Sequence, residues 1–139
     1  MKKVSAALVI YDHKILLFHR DNIPTIKDPD KWSLIGGHVE EGEDFEQGLI
    51  RELQEEISIT PSNYQLLENY TDYLQENVAV YVVYLTSEEA QSIKLGNEGQ
   101  EVKFFSFEEL EHVDLTTNLK LIYQDKKELI EKLLKEEKN

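Results

Sequence analysis

The chain has 139 residues, enough to bury one hydrophobic core unaided, and no cysteine, which excludes disulfides and thiolate metal sites together. Its net charge of −13 opposes contact with a nucleic-acid polymer, so a phosphorylated partner would have to be small and met by a local patch or by bound cations. With 40% hydrophobic and 31% charged residues it reads as one globular domain, 1–139, expected in the cytoplasm: no apolar run approaches the ~20 residues that cross a bilayer, and Asp12-His13-Lys14 comes too early for a signal peptide.

Residues 4–11 and 14–20 are apolar, β-branched runs either side of Asp12-His13, the pattern of a hairpin. Residues 21–31 hold two prolines and several polar groups and predict a loop at the rim of a site. A brief strand over 32–35 runs into Gly36-Gly37, and Gly42-Glu43-Asp44 leads into a helical pattern over 45–57. Residues 64–74 and 78–86 read as an antiparallel pair turning at Gln75-Glu76-Asn77, and 101–107 as a further strand. A helical turn is expected over 106–110, and a helix over 117–137 from the spacing of Leu121, Ile122, Leu129, Ile130, Leu133 and Leu134. Two helices and a mixed central sheet make an α/β/α sandwich.

The densest chemistry lies between Gly37 and Ile59, in GHVEEGEDFEQGLIRELQEEISI. On a helical wheel at ~100° per residue Glu52, Glu55 and Glu56 share an arc of about 100°, while Leu49, Ile50, Leu53 and Ile57 take the neighbouring face and would pack on the sheet. Like charges at Glu52 and Glu56, four apart, weaken a bare helix by a few tenths of a kcal/mol, so a cation is expected there. A hard ion with oxygen ligands, Mg²⁺ above all, meets that need. A bare acidic stretch is usually only a solvated face. Here Gly36-Gly37, Glu43 and Arg51 accompany it at fixed spacing.

Gly37, Glu43, Arg51-Glu52-Leu53, Glu55-Glu56 and Ile59 together resemble the signature box of the Nudix (MutT-like) hydrolases, with Ser58 standing where that family usually has glycine. The resemblance implies the same sandwich and a divalent cation, Mg²⁺ with Mn²⁺ as a substitute, held by the Gly37 carbonyl, Glu52, Glu55 and Glu56. It implies a Glu43–Arg51 ion pair in which the arginine orients the glutamates. The implied reaction is attack of water on phosphorus in a nucleoside diphosphate linked to another group, as in a nucleoside triphosphate, oxidised forms included, or a nucleotide sugar.

Arg51, Glu52, Glu55 and Glu98 are the expected catalytic residues. Family members differ over which glutamate takes the proton of the water, and Glu52, Glu98 and Glu101 are the candidates here. His19, Arg20 and His38 are candidate phosphate contacts, with Arg20 the best suited by its fixed guanidinium. Trp32, Tyr73, Tyr81 and Tyr84 either stack a base or fill the core, and the core is the ordinary use. The proline that follows the box in some ADP-ribose hydrolases is not matched, since Tyr73 stands in that region and Pro61 comes earlier, which disfavours ADP-ribose. The expected partner is a small nucleotide, with no nucleic acid and no membrane, and a homodimer stays open. A non-catalytic module that senses a nucleotide is the alternative from another class.

Overall fold

The computed structural model describes residues 1–137. Seven strands form one mixed sheet: β1 (Lys3–Tyr11), β2 (Lys14–His19), β3 (Trp32–Ser33), β4 (Ile35–His38), β5 (Tyr64–Thr71), β6 (Asn77–Tyr84) and β7 (Glu101–Phe105). The main path runs β3-β2-β1-β6-β5, with β4 pairing β1 and β7 pairing β2. Among the strand pairs of the described residues only β1 and β6 run parallel. Strand β1 is shared along its length: residues 4–7 pair with β4, and Val9–Tyr11 pair with β2. Asp12 and His13 both have positive φ, as the expected two-residue hairpin requires.

Helices cover both faces. Helix α1 (Phe45–Ile57) starts in a capping box, where Asp44 accepts from the Gln47 amide and Gln47 accepts from the Asp44 amide. Its Leu49, Leu53 and Ile57 are fully buried against Ala7, Val9 and Ile35. Each such side chain contributes about 1.5–3 kcal/mol of burial. The opposite face carries α3 (Thr117–Asp125) and α4 (Lys127–Lys135), whose Leu119, Tyr123, Ile130 and Leu134 pack on Leu8, Ile10 and Val80. The sandwich is therefore as expected. Among the described residues no helix is long and apolar enough to cross a membrane.

Several expected elements change. The helix over 117–137 is two helices, broken at Lys126, and it stops at Lys135. In a continuous helix at ~100° per residue Lys126 would fall within the buried stripe of Leu119, Tyr123 and Ile130. The break leaves it partly exposed, with Nζ 3.0 Å from Glu68 Oε1. Strand β5 ends at Thr71 rather than 74, because the buried Asp72 carboxylate accepts from the Leu74 and Glu76 amides and turns the chain, so that Asn77 already belongs to β6. The strand expected over 32–35 is split at Leu34, and the glycines lie inside β4. Between the strands expected over 78–86 and 101–107 the chain forms α2 (Ser87–Gln91), capped by Thr86 and Glu89, and β7 ends at Phe105 before a 3₁₀ turn (Glu108–His112).

Candidate active site

The acidic face of α1 meets strand β4 and the loop before β7. Gly36 donates its amide to Glu56 Oε1 at 2.8 Å. At Gly37, paired with Ser5 in the sheet, a Cβ would stand 2.5 Å from Glu52 Oε1, so any larger residue would push that carboxylate aside. The loop is strung along the end of α1 by backbone bonds from the Lys94 amide to the Ile57 carbonyl and from the Gly96 amide to the Glu56 carbonyl. Gly96 is also required by closeness, since a Cβ there would meet the Glu55 carbonyl at 2.0 Å. These contacts bring Glu98 to the helix. Glu52, Glu55, Glu56 and Glu98 line one cavity of about 430 Å³ with Gly96 and Asn97.

Arg51 ties the box together. It donates to both Glu43 oxygens at 2.9 and 3.1 Å, to Glu52 Oε1 at 3.0 Å, to Glu55 Oε2 at 3.2 Å and to the His38 carbonyl at 3.0 Å, with Glu40 3.1 Å away. The forked contact with Glu43 is the expected ion pair, and the Arg51 hydrogen bond holds the Glu43 carboxyl below its ordinary range. Glu52 is shifted the other way: burial, more than any other influence, raises it despite Arg51. Glu56 is pushed up to about 8, first by burial and then by the like charge of Glu52, against the lowering effect of the Gly36 amide.

That arrangement suits a hard divalent cation. The available donors are carboxylate oxygens, and those of Glu52 and Glu56 are partly buried, where unneutralised anions are disfavoured. Among the described residues no three acidic or histidine side chains already stand as a ligating cluster. Arg51 engages Glu52 and Glu55, and Glu55 is 58% exposed and free to turn.

Strand β4 has a second cleft beside it, about 360 Å³, lined by Gly36, Gly37, Arg20, Lys27, His38 and Asn118 among others. Arg20 and His38 thus fall on this cleft, with Arg20 donating to the Lys27 carbonyl and His38 Nε2 lying 2.5 Å from Glu76. His19 does not. It stacks on Trp32 at 4.4 Å, between Asp30 and Glu101. Glu101 therefore points toward His19 and is absent from the lining of the acidic cavity. Tyr81 is in the core, as expected for the aromatics, but Tyr73 is 43% exposed beneath Lys27.

Ser58 ends α1 in the left-handed conformation (φ 62°, ψ 35°) with its amide donating to the Gln54 carbonyl, the backbone that glycine would adopt most easily. Its hydroxyl donates to the Lys94 carbonyl at 3.0 Å, adding a strut to the Glu98 loop. Glu40, Gly96, Lys27 and Asn118 were not signalled by the sequence. Lys27 carries only the cue of lying in the loop expected at the rim of a site, and Gly96 only that of a small residue near Glu98.

A family model described as the NUDIX domain matches residues 1–133, well beyond the box itself. The ADP-ribose pyrophosphatase of Methanocaldococcus jannaschii is 32% identical over 101 residues, covering 71% of this chain and 58% of that protein's length, so the chain spans under two thirds of this relative. The nucleoside triphosphatase NudI of Escherichia coli is 33% identical over 100 residues, covering 63% of this chain and 70% of the relative. Among solved structures, one from a study of MutT from Aliivibrio salmonicida and Vibrio cholerae superposes with a TM-score of 0.71 at 20% identity over 98% of both chains, a likeness of fold.

Proposed function

The chain belongs to the Nudix family, and from that premise we propose that it is a Mg²⁺-dependent pyrophosphohydrolase cleaving a nucleoside diphosphate linked to another moiety, a nucleoside triphosphate or a nucleotide sugar. The observation that carries the reading is the meeting of Glu52, Glu55, Glu56 and Glu98 on one cavity, beside a cleft that holds Arg20 and Lys27. Glu52, Glu55, Glu56 and the Gly37 carbonyl would hold the ion. When bound, it neutralises phosphate oxygens and lowers the pKa of a water.

The chain's own groups supply the rest. Arg51 orients Glu52 and Glu55 through its bonds to both. Strand β4 links the acidic cavity to the cleft, since Gly36 donates to Glu56, which lines the cavity, and itself lines the cleft. A phosphate chain lying across β4 would have Arg20 and Lys27 on one side and the helix carboxylates on the other. The proton of the attacking water goes to a carboxylate of the acidic cavity, Glu98 or Glu52, while Glu101 faces His19.

Both substrate classes have support, because one relative is named for ADP-ribose and another for nucleoside triphosphates. The first weighs against the argument from the missing proline, so ADP-ribose belongs in the panel. The test is to incubate the protein with Mg²⁺ and nucleoside triphosphates, ADP-ribose, other nucleotide sugars and dinucleoside polyphosphates, alongside Glu55→Gln. Turnover of a panel member that falls by ~100-fold or more in the variant is expected, beyond the 10–100-fold typical of groups that only orient a ligand. Binding without cleavage, equal in both proteins, would instead make this a sensing module.

A further inference from the structure

Of the four glutamates on the acidic cavity, three are held by their carboxylates: Glu52 and Glu55 by Arg51, and Glu56 by the Gly36 amide. Glu98 is not. Its side chain is exposed and, among the described residues, makes no hydrogen bond or ion pair, so its place is set by the backbone on either side.

On the helix side that backbone is anchored where the Gly96 amide meets the Glu56 carbonyl. On the other side the anchor is a side chain distant in sequence, for the Gly99 amide donates to Asp21 Oδ2 at 3.1 Å. The bond depends on glycine. Gly99 has φ 85°, and a Cβ there would stand 2.3 Å from Cζ of the buried Phe18 ring, so the turn that brings this amide to Asp21 is strained for any other residue.

Asp21 begins the segment that walls the cleft. Arg20 and Lys27 line that cleft, and Arg20 Nε donates to the Lys27 carbonyl. The segment is fastened without help from the Asp21 carboxylate: Gln100 Nε2 donates to the Arg20 carbonyl at 2.8 Å and to Asp30 Oδ1 at 2.9 Å, the Asp30 amide donates to the Asp21 carbonyl, and Asp28 accepts from the Thr117 amide and hydroxyl. Among the described residues the carboxylate serves only the Gly99 amide. An ionised acceptor makes such a bond roughly twice as strong as a neutral one.

Glu98 therefore hangs between two anchors, one on the helix of the acidic face and one on the segment that carries the cations of the cleft. A base must lie within hydrogen-bond reach of the water it deprotonates, and a misplacement of ~1 Å costs on the order of 100-fold. Resting on the proposed hydrolysis, in which Glu98 is a candidate base, we propose that Asp21 is a positioning residue: its carboxylate fixes Glu98 through Gly99 and sets the spacing between this glutamate and a phosphate bound at Arg20 and Lys27.

Two measurements test this. Amide exchange followed by NMR in the metal-free full chain needs no substrate: in Asp21→Ala the Gly99 amide should exchange about tenfold faster, while those of Leu49 and Leu53 in α1 stay protected. Asp21→Asn removes the charge but keeps an acceptor, and should stay within about threefold of the parent, which separates the lost bond from the lost charge. With a substrate from the panel, Asp21→Ala should lower kcat about tenfold and leave KM within about twofold, because the other bonds keep Arg20 and Lys27 in place, and Asp21→Asn should recover most of the loss. In a Glu98→Gln background the same Asp21→Ala change should alter kcat by less than about twofold, since the group it acts through is already gone.

The inference is overturned if Gly99 in Asp21→Ala exchanges as slowly as in the parent, if kcat is unchanged or KM takes the whole loss, or if the effects of the two substitutions multiply. A parent that cleaves no panel member would sink the enzymatic reading and the role built on it. Turnover with an unmoved Gly99 amide, or with independent effects at Asp21 and Glu98, would sink this inference alone.

Discussion

On the α1 face of the sheet Glu43, Glu52, Glu55 and Glu56 are each held by a named hydrogen bond, three of them through Arg51, whereas on the α3–α4 face a broken helix leaves an apolar space and the Tyr70 phenol without a partner among the described residues. The contrast sets fixed charges on one face against unfilled apolar space on the other. It also predicts that the two faces respond differently to the same damage.

The largest expected effect comes from truncating leucine on each side. Leu53 is fully buried under α1, and Leu53→Ala should cost about 3–5 kcal/mol, read from denaturant midpoints. Leu129, half-buried at the α3–α4 cavity, should cost less than about 2 kcal/mol because the space beside it already exists. Equal losses would mean that the faces are packed alike.

Next comes pH. Glu56 is raised to about 8 from an ordinary 4.5, so between these values the folded protein keeps a proton that the unfolded chain has released. Stability without metal is then greatest at the acid end of this window and falls as pH rises through it. Melting temperatures in chelator from pH 5 to 8 should decline for the parent and stay flatter for Glu56→Gln. Parallel slopes would show that the buried carboxylate is not the source.

Ser58→Gly sharpens the picture at the smallest scale. Relief of the left-handed conformation is worth ~1 kcal/mol, and loss of the Ser58 bond to Lys94 returns part of it, so a gain of a few tenths is expected in a denaturant midpoint. A net loss would mean that the strut to the Glu98 loop outweighs the strain.

The same contrast explains what was legible in the sequence. Residue spacing on one helix turns directly into geometry, so the acidic arc and the apolar stripe of α1 could be read, while the Glu43–Arg51 pair was legible only through the resemblance to the Nudix box. The α3–α4 face depends on tertiary packing. The apolar period of residues 117–137 said nothing about the burial that Lys126 would suffer in an unbroken helix, and no local pattern announces the pairing of Lys126 with Glu68 or the isolation of Tyr70. Helix α2 is an intermediate case: Thr86-x-x-Glu89 is a capping signal, but five residues are too few to display a period. The Asp72 turn lies in one residue's hydrogen bonds and cut short a strand that β-propensity would extend.

Calorimetric titration of Mg²⁺ into the folded protein tests the central claim most directly. Saturable binding in the parent, strengthened when a hydrolysable nucleotide is present and lost in Glu56→Gln, is the predicted result. Absence of binding by Mg²⁺ and Mn²⁺ alike, with and without nucleotide, would contradict it.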